Sequence, residues 1–123
     1  MKTKSLCYVT FVLVVLSLLS VAPVRASDGD VCPHHEATVS SLRACVVHAV
    51  EMGHIDNRGV ANSLLAKLDA AQAALDRGQK RVAVAQLKAF LHAVEAQAGK
   101  HIDAQHATHM IMHATEVISF LNQ

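Results

Sequence analysis

Histidine and cysteine are the residue types in this chain that offer chemistry. Nine histidines occur, all of them beyond residue 33, at positions 34, 35, 48, 54, 92, 101, 106, 109 and 113. The last three are the most suggestive. On a helix, His106, His109 and His113 fall within a sector of about 60°, and Glu116 continues the same side. Two histidines spaced i and i+4 can share one ion. Imidazole suits Zn²⁺, Cu²⁺ or Ni²⁺, and a carboxylate can complete the shell. His106, His109, His113 and Glu116 are therefore candidate metal ligands, and the bland alternative is a solvated polar edge that uses histidine. The others read as dispersed. His34 and His35 lie in an N-terminal lead-in, His48 on the solvent side of a first helix, and His54 and His101 in turns. His92 shares an outer face with Lys88 and Glu95.

Cys32 and Cys45 form the second candidate group. Paired cysteines in an exported chain favour a disulfide. Such a short closed loop is worth about 3 kcal/mol in the chain-entropy account. The competing reading is metal ligation, because Cys32-Pro33-His34 and Cys45-Val46-Val47-His48 interleave the two ligand types that closed zinc sites use.

Export itself is read from residues 1–26. Lys2 and Lys4 precede a nearly unbroken apolar run from Leu6 to Leu19, followed by Val24-Arg25-Ala26. A basic start, a short apolar stretch and small residues at −3 and −1 make a cleavable signal peptide. Cys7 lies inside the apolar run and marks no lipid anchor. No second long apolar run follows, so the mature chain is expected to have no transmembrane anchor and to be periplasmic or extracellular.

Removing residues 1–26 changes the charge. The mature chain keeps eight Lys and Arg against ten Asp and Glu, a net −2 with neutral histidines. It shows no basic stripe, and nucleic acid is not an expected partner. Phe90 and Phe120 are its remaining large aromatics, too few for a sugar-stacking platform. Protonating nine histidines, which titrate near pH 6.5 when unperturbed, would carry the charge from −2 to +7, a swing that could weaken the fold or alter its partner in acid. Enzyme readings are poorly supported. Ser40 and Ser63 sit in no nucleophile motif, and no glycine-rich phosphate loop occurs.

The elements that must position these residues are helical. After an extended lead-in at 27–37, apolar residues recur at i, i+3, i+4 and i+7. The periodicity predicts helices over about 40–52, 57–77, 80–98 and 104–121, in one domain over 38–123. The inward residues expected are Leu42, Val46, Val47 and Val50; Leu64, Leu65, Leu68, Ala71 and Leu75; Val84, Leu87, Phe90, Leu91 and Val94; and Ala107, Met110, Ile111, Ala114, Val117, Ile118 and Leu121. Met112 is expected at the surface. Gly53, Gly78 and Gly99 fall where helix C-caps want a residue tolerant of positive φ. Asp56 and Asp103 are expected to cap the second and fourth helices, with Ile55 and Val60 as a hydrophobic staple around Asp56. Short connections favour antiparallel neighbours, hence a small all-α antiparallel bundle of about four helices.

The run Gly-His-Ile-Asp-Asn-Arg-Gly-Val-Ala-Asn-Ser-Leu-Leu-Ala-Lys-Leu-Asp-Ala-Ala at 53–71 resembles the signature of the FIMAH domain, a small helical domain of exported bacterial proteins. Gln86-Leu87-Lys88-Ala89-Phe90 and Val94-Glu95-Ala96-Gln97-Ala98-Gly99-Lys100-His101-Ile102 continue it, so the likeness covers about residues 38–122. In that family the domain is typically appended to larger secreted enzymes and surface proteins. The resemblance implies an accessory or interaction role, with a protein or cell-envelope partner, and supplies no catalytic residues. Two departures are expected: the domain stands alone, without an enzyme in front of it, and the last helix holds histidines where the family pattern tends towards alanine and other non-ligating residues.

The signal reading has a direct check. Intact-mass analysis of the exported protein should give a chain beginning at Ser27, after cleavage behind Ala26. A chain that retains residues 1–26 would contradict it.

Overall fold

A computed structural model describes Cys32 and residues 36–123; the expected signal peptide and most of the expected lead-in, including His34 and His35, lie outside the described residues. Within them the chain forms four helices: α1 (Val39–Glu51), α2 (Arg58–Asp76), α3 (Lys80–Gln97) and α4 (Ala104–Leu121). α1 packs against α2 and α4, and α3 packs against α2 and α4, which closes the four into a bundle around one core.

The core follows the expected stripes. Leu42, Val46, Leu64, Leu68, Leu87, Phe90, Val94, Met110 and Val117 are fully buried. Alanines at 49, 61, 71, 83, 107 and 114 are buried between them and let the helix backbones approach. Leu65, Leu75, Leu91, Ile111, Ile118 and Leu121 border this core half-buried, and Met112 is exposed as expected.

α1 departs from the expected stripe. Its buried side holds Val39, Leu42, Cys45, Val46 and Ala49, whereas Val50 is 39% exposed. Cys45 is bonded to Cys32, with Cα atoms 4.9 Å apart, and both are buried. Turning Cys45 inward rotates the helix so that Val50 moves to the rim. His48, expected on the solvent side, is half-buried, and its Nε2 is shut off from water.

The turns are built twice on one plan. Gly53 ends the α1 segment with φ +80°, and Gly99 ends the α3 segment with φ +69°. Both angles lie in the left-handed region that favours glycine. After each comes His-Ile-Asp, at 54–56 and 101–103. The two stretches pair antiparallel at Ile55 and Ile102, both buried. Asp56 N–H donates to the His101 carbonyl at 3.2 Å, and Asp103 N–H donates to the His54 carbonyl at 2.9 Å. Among the described residues, isolated bridges at Ile102 are the whole of the extended pairing.

This pairing moves one cap. Asp56 is occupied by the partner turn, so the cap of α2 is Asn57, whose Oδ1 accepts from Val60 N–H at 3.1 Å. Asp103 caps α4 as expected, accepting from Gln105 N–H at 3.0 Å and His106 N–H at 3.2 Å.

Two phenylalanine substitutions separate core from surface. Phe90→Ala should destabilise the protein by about 3–5 kcal/mol in chemical denaturation. Phe120, 61% exposed, should tolerate alanine within about 0.5 kcal/mol. Equal effects would contradict the packing described.

Candidate functional site

The sequence-predicted ligands all lie on α4, but the structure gives them different partners. His106, in the first turn, is buried, and its Nδ1–H donates to Asp103 Oδ1 at 3.2 Å. Its ring stacks on His54 with centroids 3.6 Å apart and 15° between planes. One turn on, half-buried His109 lies beside the disulfide, with a ring nitrogen within 4.8 Å of both sulfurs. His113 is buried, and its Nε2–H donates to the Glu36 carbonyl at 2.8 Å. Glu116 is exposed. The rings of His109 and His113 meet edge to face at 6.4 Å. The three histidines are thus spread along the seam between α4, α1 and the segment leading into α1.

A carbonyl oxygen only accepts, so the proton of neutral His113 sits on Nε2 and its lone pair on Nδ1. The carboxylate partner of His106 fixes the opposite tautomer there. His101 repeats the His106 arrangement, with Nδ1 2.8 Å from Asp56 Oδ1. Two carboxylate–histidine pairs, Asp56–His101 and Asp103–His106, therefore stand at the end of the bundle where the turns meet. They adjoin an open cleft of about 420 Å³ lined by Gly53, His54, Asp56, Lys100, His101 and Asp103. His54 and Asp56 were not among the expected ligands. The repeated Gly-(Lys)-His-Ile-Asp at 53–56 and 99–103 was the signal that could have brought them together.

Asp103 is the titrating group whose environment is most evident. The hydrogen bond from the His106 side chain holds its carboxyl below the ordinary aspartate range, and the backbone N–H groups of His106 and Gln105 add to this against a smaller opposing effect of desolvation. His92 lies apart from these groups on the outer face of α3, 3.3 Å from Glu95 Oε2.

The family model described as the FIMAH domain matches residues 39–119, from the first residue of α1 into the last turn of α4. No curated protein and no solved structure shows a significant match to the chain.

Asp103 yields a pH-resolved prediction. A carboxylate held low in the folded state stabilises it at pH values above the ordinary aspartate range, and that contribution is lost as pH falls through the lowered folded value. Asp103→Ala should lower the thermal midpoint at neutral pH by removing cap and charge together. Asp103→Asn, which can still cap, should lie between it and the wild type. The gap between wild type and Asp103→Asn should close below about pH 4. A gap that is constant with pH would contradict the His106–Asp103 pairing.

Proposed function

The chain belongs to the FIMAH domain family, and from that premise we propose that it is an exported, non-catalytic helical module that works by binding a protein of the cell envelope or extracellular space. The observation that supports this reading most is the state of its chemically capable side chains. Cys32 and Cys45 are joined to each other. His113 is tied to the Glu36 backbone, and His106 to Asp103 and His54. In these roles they hold the bundle, so a nucleophile or general base among them would have to give up a structural contact. The surface offers apolar contact instead. Val50 and Met52, 39% and 50% exposed, stand at the end of α1. Val50 also borders a mainly apolar cleft of about 350 Å³ with Val47, Leu65, Glu51 and Arg58 around it.

Co-sedimentation with envelope fractions tests this. The wild-type protein should be retained, and protease treatment of the fraction should abolish retention. Val50→Glu/Met52→Glu should reduce retention at least tenfold with an unchanged thermal midpoint. Absence of retention, or retention indifferent to protease and to the substitutions, would contradict the reading.

The second reading is transition-metal binding at His106, His109, His113 and Glu116. The Asp103–His106 pair favours it, because a carboxylate that holds one ring nitrogen orients the other towards a metal. Among the described residues, the buried Nε2 atoms of His48 and His54 meet no hydrogen-bond partner, whereas buried polar atoms are ordinarily paired. His113 would have to release Glu36 to join. Under oxidising conditions, calorimetry with Zn²⁺ should show stoichiometric binding that Glu116→Ala weakens. No binding, or binding indifferent to Glu116, would dismiss this reading.

A further inference from the structure

The two sulfurs of the Cys32–Cys45 disulfide and one ring nitrogen of His109 all lie within 4.8 Å of one another. They come from three separate places: the lead-in, the middle of α1 and the middle of α4. The cysteines are buried and His109 is half-buried. We propose that reduction of this disulfide opens a site for a monovalent copper ion, with Cys32 Sγ, Cys45 Sγ and His109 as its three ligands. This goes beyond envelope binding and uses neither Glu116 nor His106.

The chemistry balances with a dithiol as the reductant. It delivers two electrons and two protons to the S–S bond, is itself oxidised to a disulfide, and leaves two thiols on the protein. Cu⁺ then displaces both thiol protons into solvent, because the thiolate is the ligand. The loaded site is two thiolates and one imidazole around one cation. Bonds of about 2.3 Å to sulfur and about 2.0 Å to nitrogen place donor atoms roughly 3.5–4 Å apart. The cysteine Cα atoms, 4.9 Å apart, allow that spacing through side-chain rotation. Soft thiolates select Cu⁺ or Zn²⁺. A closed zinc site takes four ligands, whereas among the described residues this cluster supplies three, and three-coordinate binding suits Cu⁺.

A second contact near Cys32 does not depend on its bond to Cys45. The Glu36 carbonyl, four residues beyond Cys32, accepts from His113 Nε2 at 2.8 Å. That contact anchors the lead-in to α4 one turn from His109, independently of the disulfide. In the oxidised protein neither sulfur can become a thiolate, and the lone pairs of a neutral disulfide are weak donors, so metal affinity follows the redox state.

The test compares oxidised and dithiol-reduced exported protein, competing for Cu⁺ with a colorimetric Cu⁺ chelator under anaerobic conditions. Helix content is followed by circular dichroism. The reduced protein should remove one equivalent of Cu⁺ from the chelator, with thiolate-to-copper absorption in the near ultraviolet, and the oxidised protein should remove none. His109→Ala should weaken binding at least tenfold while leaving the oxidised thermal midpoint within a few degrees. Glu116→Ala should leave Cu⁺ binding unchanged, which separates this site from the Zn²⁺ reading. If reduced His109→Ala binds as tightly as wild type, two thiols alone hold the ion, in a folded or an unfolded chain, and the proposal fails. Equal binding by oxidised protein, or none by reduced protein, overturns it as well.

Discussion

At one end of the bundle Asp56 N–H donates to His101 and Asp103 N–H donates to His54. This reciprocal pair decides where α2 and α4 begin. With Ile55 and Ile102 buried where the two turns pair, neither turn can slide without exposing an apolar side chain or stranding a backbone donor. Once Ile102 is seated and Asp103 caps α4, the rotation of α4 is set. His106, His109 and His113, at steps of three and four, then follow one another down the seam towards α1.

That seam explains a composition that would otherwise suggest a surface. Each histidine of α4 meets a different neighbour: a second imidazole and a carboxylate, a disulfide, and a backbone carbonyl. Imidazole serves in all three settings because it combines an apolar ring edge and face with one donor and one acceptor. A leucine in place of His113 would leave the Glu36 carbonyl without this donor. The disulfide and the His113 contact join the start of the described chain to the bundle from opposite sides, through α1 and through α4.

Much of the fold was legible in the sequence because helical burial is a local pattern. All four helix spans fell within one residue of those expected, and Leu64, Leu68, Leu87, Phe90, Val94, Met110 and Val117 are buried as their spacing required. Gly53, Gly78 and Gly99 all have positive φ. What was not legible depended on partners distant in the chain. Asp56 looks like a helix cap until His101, 45 residues away, takes its carboxylate. His48 and Val50 exchange their expected environments because Cys45 turns inward to meet Cys32. The sector containing His106, His109 and His113 was readable, but the elements opposite each ring were not, since periodicity reports which residues share a face and says nothing of what covers it.

The packing of these histidines is best tested by long-range proton–nitrogen correlation spectra of the imidazoles in the oxidised protein near neutral pH. With the seam as described, neutral His113 is the Nε2–H tautomer with a slowly exchanging ring proton, and neutral His101 and His106 are Nδ1–H tautomers. The exposed ring of His92 supplies the solvent-averaged reference. A His113 with its proton on Nδ1, or one averaging and exchanging like His92, would contradict the contact with Glu36 and with it the inward face of α4.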